Sequence, residues 1–153
     1  MKYLHSGYIL LCEKADHAED GRINAHGLFD LIVVDHFPMY ITCEFVVGFG
    51  TPYERRQYRG HVEVEDPIGR NVFTHDFNAN DPGDLLRGHA IFPADILIQQ
   101  EGCYTIKTAL YNWKNENVWE VTRQLWAMIR DDEGDEEGEA REDEKAASAT
   151  TEE

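Results

Sequence analysis

Apolar and polar residues alternate along most of this chain with a period of two, which predicts β-strands rather than helices. From Ile41 to Phe49 every second residue is apolar, and Tyr58–Glu65 shows the same alternation. The segment Asp66–Gly69 reads Asp-Pro-Ile-Gly, in which proline fixes φ at the second turn position and glycine closes the turn. The run Val72–Phe77 then returns, so these segments predict a β-hairpin.

Near the N-terminus, two further strands are predicted. Tyr8–Glu13 is apolar on both faces, as expected of a strand in the middle of a sheet. Ile23–Val34 predicts one long extended run with Ile23, Leu31 and Val33 in phase. Gly27 lies inside this run, where an interior glycine often marks a bulge or a bend.

The second half of the chain continues the pattern. Asn78–Gly83 is rich in turn residues, and Leu85–Phe92 is irregular enough to include a short helical turn before a strand. Tyr104–Leu110 and Trp119–Ile129 alternate again, with a turn predicted at Lys114–Asn117. Strands at this spacing, without a sustained helical period, predict an all-β fold, an antiparallel β-sandwich of about eight strands.

The charge of the chain divides it into two parts. The 153 residues carry a net charge of −16, and residues 131–153 hold twelve acidic and two basic residues, a net charge of −10. Residues 1–130 are only mildly acidic, at −6. We therefore predict a β-sandwich domain over 1–130 and a disordered acidic tail over 131–153, because the tail has too few apolar residues to offset its ordering entropy.

The acidic net charge restricts the partners that the chain can bind, and its cysteines indicate the compartment in which it folds. Binding to nucleic acid or to an anionic membrane depends on basic side chains, so neither is predicted as a partner. Cys12, Cys43 and Cys103 are scattered, which favours buried thiols in a reducing compartment over a disulfide framework. The apolar run Tyr8–Cys12 behind Lys2 is too short for a signal peptide, and no run is long enough to span a bilayer. The prediction is a cytoplasmic protein.

Metal chemistry has two weak candidates. His61 and His75 could face each other across the Asp66–Gly69 hairpin and bind a metal, or they could be ordinary surface residues. Loop aspartates could gather a calcium ion, or they could simply start turns. These aspartates are Asp66, Asp76, Asp81 and Asp84. Because a tetrahedral site needs three or four ligands and no metal-binding motif is present, we predict no metal ligands and no cofactor.

No catalytic residue is predicted. Ser6 and Ser148 are the only serines, and neither lies in a nucleophile elbow or a phosphate-binding loop. The segment Glu54–Arg56 with Arg59 forms a small basic cluster that could meet an acidic partner or the chain's own tail, or could be a solvated loop.

Aromatic residues concentrate near the end of the domain. Tyr104, Tyr111, Trp113, Trp119 and Trp126 either pack in the core or form a binding face. Trp119 and Trp126 are separated by an odd number of residues, so they point to opposite faces of one strand. Whichever lies outside the core is the better interface candidate.

Several segments together resemble a family of small bacterial β-sandwich proteins of unknown function. Leu10–Glu13 followed by Gly21–Asp30 is similar to its opening strand and its "Gly-Lys-x-x-x-x-Gly-Ile-Phe" segment, with Arg22 for lysine and Leu28 for isoleucine. Its "Asp-Pro-x-Gly" hairpin resembles Asp66–Gly69. Its late "Phe-Pro…Gly-x-Tyr" region resembles the stretches that end at Pro93 and Tyr104. The resemblance covers roughly Tyr8 to Ile129, and it implies a fold but no activity, cofactor or site residue.

Three functional classes stay open. The first is a noncatalytic binding or adaptor module with an unidentified protein partner. The second is a structural, self-assembling subunit of a bacterial or phage-like assembly, which would form a homo-oligomer. The third is a metal-binding protein or enzyme built on His61, His75 and the loop aspartates.

Overall fold

A computed structural model describes residues 7–20, 22–50, 57–80 and 87–131. These ranges hold nine strands and no helix. The strands are β1 (Gly7–His17), β2 (Ile23–Leu28), β3 (Leu31–Val34), β4 (Met39–Gly50), β5 (Gln57–Glu65), β6 (Asn71–Asn80), β7 (Arg87–Ile98), β8 (Gly102–Tyr111) and β9 (Asn117–Ile129). The described part of the chain accordingly has no helix long and apolar enough to cross a membrane. The predicted tail, apart from Asp131, lies outside the described residues.

The strands form two sheets that pack face to face. A four-stranded sheet has the order β2-β1-β4-β7, and a five-stranded sheet has the order β3-β9-β8-β5-β6. The predicted all-β sandwich is therefore confirmed. All pairs are antiparallel except β3 with β9, which is parallel. This pair departs from the predicted antiparallel sandwich because β3 enters the five-stranded sheet by crossing from the other sheet, and a crossing does not impose the reversal of direction that a hairpin does.

Aromatic rings fill the space between the sheets. Phe45 stacks on Phe92 at 5.4 Å within the four-stranded sheet and on Phe73 of the other sheet at 5.8 Å. Phe77 of β6 also stacks on Phe92, with the two rings 5.1 Å apart. Ring pairs at these separations add to the stabilisation from buried apolar area. The core therefore joins β4 and β7 to β6.

Strand β4 is buried on both of its faces near its C-terminal end, which the simple alternation does not predict. Phe45, Val46 and Val47 are each fully buried. Phe45 and Val47 belong to the core between the sheets, whereas Val46 packs with Cys12 on the outer face. A second, smaller apolar cluster thus covers part of the outer face of the four-stranded sheet.

The predicted hairpin is confirmed as β5 and β6, joined by the turn at Asp66–Gly69. Its return strand is longer than predicted, since Asn78–Asn80 continue β6 where a turn was expected. The remainder of that predicted turn, residues 81–83, lies outside the described residues. The irregular segment predicted at Leu85–Phe92 is a regular strand from Arg87 onward.

The single long strand predicted over Ile23–Val34 is wrong. The backbone bends at Gly27, whose φ is +65°, and β2 ends at Leu28. Phe29 donates its backbone N–H to Leu11 at 3.1 Å, and the chain then crosses to the other sheet and begins β3. Because glycine adopts positive φ without steric cost, the bend predicted at Gly27 is present, but it leads to a change of sheet.

The β7–β8 corner is closed by a buried tyrosine. Tyr104 is fully buried, and its hydroxyl accepts backbone N–H groups of Gln99 at 3.0 Å and Gln100 at 3.3 Å. The same hydroxyl donates to the Gln100 carbonyl at 3.0 Å. One side chain therefore satisfies the polar backbone groups of the turn between the two sheets.

Replacing Tyr104 with phenylalanine should lower the free energy of unfolding by about 1–3 kcal/mol, because partly buried backbone groups of Gln99 and Gln100 lose their partner. Urea denaturation of the Tyr104→Phe variant measures this loss. Tyr111→Phe is the control, since this half-buried tyrosine makes no side-chain hydrogen bond among the described residues, and its midpoint should stay near wild type. Equal effects of the two substitutions would contradict this role.

The β5–β6 turn is organised by Asp66. The side chain is buried, and Oδ1 accepts backbone N–H groups from Ile68 at 3.1 Å and Arg70 at 2.8 Å, while Oδ2 accepts Arg70 Nε at 2.7 Å. Burial by itself would raise the pKa of Asp66, but the hydrogen bonds from Arg70 and Ile68 outweigh it, so the pKa lies below its ordinary value of 3.8. The carboxylate therefore stabilises the fold fully above that ordinary value, and this contribution is lost as the pH falls through the lower folded-state pKa.

The substitution Asp66→Asn should cost about 1–3 kcal/mol at pH 7, because the amide nitrogen that replaces Oδ2 cannot accept the Nε–H of Arg70. The difference from wild type should begin to shrink below the ordinary pKa of 3.8, where the unfolded chain takes up a proton, and should disappear below the lower folded-state pKa. Urea denaturation at neutral and acidic pH tests both expectations, with Asp16→Asn, at an exposed position of β1, as the control. A cost that is the same at both pH values would mean that the charge has no part in it.

Candidate functional site

The two histidines of the candidate metal site lie on opposite faces of the five-stranded sheet. In the β5–β6 register His61 lies opposite Asp76, whereas His75 lies opposite the buried Val62. His61 Nδ1 is 2.6 Å from Asp76 Oδ1 on the outer face, and the His75 ring stacks on Phe92 at 4.6 Å on the inner face. The predicted face-to-face pair is wrong, because a register offset of one residue turns a side chain to the other face.

The candidate calcium site is likewise not assembled by the described residues. Asp66 is used within its own turn, and Asp76 pairs with His61. Asp81 and Asp84 lie outside the described residues. Across the described ranges, no group of three or more histidine, cysteine, aspartate or glutamate side chains is arranged to hold a metal ion.

An open depression of roughly 470 Å³ lies on the outer face of the five-stranded sheet beside the His61–Asp76 pair. Its polar side chains bond largely to one another. Besides the His61–Asp76 pair, Arg59 Nη2 donates a hydrogen bond to Asn115 Oδ1. The lining contains an acid–base pair but no serine, threonine or cysteine that the pair could activate. The residues of the lining are Arg59, Gly60, His61, Asp76, Phe77, Asn78, Tyr111 and Asn115.

The three cysteines are free thiols in different surroundings. Cys12 and Cys43 are fully buried, whereas Cys103 is only half-buried, which departs from the prediction that all three are enclosed. Burial raises the pKa of the Cys43 thiol to about 12, and burial together with the nearby Glu44 carboxylate raises the pKa of Cys12. Both buried thiols are therefore poor nucleophiles.

In the folded protein at pH 8, a thiol reagent such as DTNB should modify Cys103 first and leave Cys12 and Cys43 unmodified, because the buried thiols are protonated and shielded. Mass spectrometry of the modified peptides identifies the sites. The same reaction in denaturing urea should modify all three and serves as the control. Rapid modification of Cys43 in the native protein would contradict the burial described above.

The outer face of the five-stranded sheet carries an apolar surface at its β3 edge. Leu31 lies opposite Trp126 and Val33 lies opposite Met128 in the parallel β3–β9 pair. Each of these four side chains keeps 47–49% of its surface exposed. We name this surface, formed by Leu31, Val33, Trp126 and Met128, the β3–β9 patch.

The prediction that one of two tryptophans lies outside the core is confirmed. Trp119 points inward, with its indole directly over Gly7 where a Cβ would have no room. Trp126 points outward into the patch. Sequence reasoning missed Leu31 and Val33, which were grouped in phase with Ile23; the change of sheet instead turns Ile32 and Val34 into the core.

Acidic side chains surround the β3–β9 patch. Asp30 and Asp35 bracket β3, and Arg130 Nη1 is 3.5 Å from Asp35 Oδ1. Glu101 lies nearby, since its Oε1 accepts the backbone N–H of Ile129 at 2.7 Å. Asp131 then begins the segment whose net charge is −10. The apolar surface is therefore rimmed by negative charge.

Residues 7–112 of this chain match the sequence pattern of a known protein family, which is described as a family of unknown function, DUF6941. The chain belongs to this family. The match spans β1 to β8, and the resemblance to a family of unknown function is confirmed. No curated protein matches the chain.

Among solved structures, the chain is similar to the CARDB domain of the PF1109 protein from Pyrococcus furiosus, which was crystallised in complex with di-metal ions. The two share 12% sequence identity, and the alignment covers 81% of this chain and 96% of that domain with a TM-score of 0.43.

Proposed function

We propose that this chain is a noncatalytic adaptor that binds a protein partner through the β3–β9 patch. The observation that carries the proposal is the contiguity of four large apolar side chains, each about half exposed, on one face of the sheet. Single exposed apolar residues are ordinary on protein surfaces, but contiguous apolar surface is typical of interaction sites. Tryptophan at the centre of such a surface is the residue type that most often carries binding energy.

The charge around the patch favours a basic partner over a second copy of the chain. A symmetric dimer through the patch would bring together the same surfaces of both copies. It would then bring two sets of rim carboxylates together, including Asp131 of each copy. A partner with a basic surface would instead gain from these charges in association rate and specificity.

The same charge argues against nucleic acid or an anionic membrane as the partner, because both are negative. The metal-protein alternative receives no support from the described residues, where His61 and His75 lie on opposite faces. The self-assembly alternative predicts that another copy of this chain covers Trp126, whereas the adaptor predicts a different protein. Crosslinking from position 126 distinguishes the two.

Photo-crosslinking tests the proposal. A benzophenone amino acid replaces Trp126 in the full chain expressed in cells, and the matched control places it at Trp113, a tryptophan of similar exposure in the β8–β9 turn. We expect one defined protein partner to crosslink from 126 and not from 113. With the purified partner, Trp126→Thr should weaken binding at least about 10-fold, and Trp113→Thr should leave binding within about 2-fold.

Crosslinks from 126 to another copy of this chain would instead establish the self-assembling subunit. Equal crosslinking from both positions would show that the patch is not the docking surface. Urea midpoints near wild type for both threonine variants, expected for exposed positions, would exclude a loss of folding as the cause.

A further inference from the structure

We propose that the partner binds as an extended segment flanked by lysine or arginine, which adds a strand to the open edge of β3. This inference rests on the proposed function and specifies the partner's chemistry. It follows from three features of the β3 edge: its backbone groups that no described residue pairs, its outward side chains and the carboxylates at its ends.

Strand β3 is the last strand of the five-stranded sheet, and in the described part of the chain it pairs with β9 alone. The carbonyl of Asp30 accepts the Trp126 N–H at 2.8 Å, and the carbonyl of Val34 accepts the Arg130 N–H at 2.9 Å. Alternate residues of a strand direct their backbone groups to opposite sides, so Leu31 and Val33 present theirs to the open edge. This is the template that a peptide strand uses when it extends a sheet.

The side chains of Leu31 and Val33 lie on the same outer face as Trp126 and Met128. An added strand would place every second side chain beside them, about 4.8 Å from β3. These positions of the partner gain most from β-branched or other apolar residues, because cross-strand apolar pairs stabilise a sheet. The bound segment should therefore alternate apolar and polar residues.

The carboxylates at the two ends of β3 set the flanking charge. Asp30 and Asp35 are five positions apart, roughly 17 Å along an extended chain. Two basic residues five positions apart in the added strand would lie opposite them. Arg130 offsets part of the charge of Asp35, but Glu101 and Asp131 keep this end of the patch negative.

These charges disfavour a second copy of β3 as the added strand. In an antiparallel pair about a two-fold axis, Asp30 of each copy would lie within one position of Asp35 of the other, so like charges would gather at both ends. Like charges this close repel one another and weaken the pair. The short β3 edge, with a carboxylate at each end, therefore disfavours pairing with a second copy of β3 and favours pairing with a basic segment.

The probe is a phage-displayed library of random twelve-residue peptides, selected on the full chain and counter-selected on its Trp126→Thr variant. We expect enriched peptides to alternate apolar and polar residues between two basic residues five positions apart. Neutral or acidic enriched peptides, equal enrichment on the variant, or no enrichment would each overturn the inference.

The strongest enriched peptide is then synthesised, and its affinity is measured by titration calorimetry. The double variant Asp30→Asn, Asp35→Asn should weaken binding roughly 3- to 10-fold, as expected for two exposed ion pairs. The variant Asp16→Asn, Asp95→Asn removes the same charge elsewhere on exposed surface and should change affinity less than about 2-fold. Equal losses in the two variants would mean that only net charge matters, which would contradict the assigned register.

Backbone methylation separates strand addition from simple docking. N-methyl groups on the peptide amides that face β3 leave its side chains in place but remove its hydrogen-bond donors. We expect binding to fall at least about 10-fold. A methylated peptide that binds equally well and still competes at Trp126 would overturn strand addition while leaving the proposed adaptor function intact. Failure of the photo-crosslinking at 126 would instead remove the proposed function itself.

Discussion

Burial of one face of each sheet against the other is the constraint on which this molecule depends. The ring of Phe45 on β4 stacks on Phe73 of the opposite sheet, and Phe92 links the same group to β7. Apolar burial of this kind is the main driving force for folding, and close packing makes the inner positions of every strand interdependent. The outer faces are then free to differ from one another.

The two outer faces are used differently. On the four-stranded sheet, Val46 and Cys12 are covered by their neighbours, so apolar residues there add to stability. On the five-stranded sheet, the β5–β6 end carries polar pairs such as His61 with Asp76, while the β3–β9 end leaves large apolar side chains half exposed. The second arrangement brings no evident gain to the isolated chain, which is why it directs the functional proposal.

Much of the fold follows from local patterns. The β5–β6 hairpin was predictable because its alternation and its Asp-Pro-Ile-Gly turn agree, and Asp66 then accepts the hydrogen bonds that such a turn requires. Strand parity predicted that Trp119 and Trp126 point to opposite faces, but not which of the two points outward. The placement of His61 and His75 on opposite faces was not predictable. The register of two strands depends on the hydrogen bonds between them and not on the spacing of residues within either strand.

The amino-acid sequence by itself determined that this chain is all-β, where its best-patterned strands and turns lie, and that its charge is concentrated after residue 130, because these properties depend on period, turn chemistry and composition. Only the tertiary structure decided that the run from Ile23 to Val34 divides between two sheets. That crossing makes β3 a parallel edge strand and turns Leu31 and Val33 outward beside Trp126. Four successive apolar residues carry no alternation from which an inner face could be chosen, so the choice falls to the long-range pairing of β3 with β9.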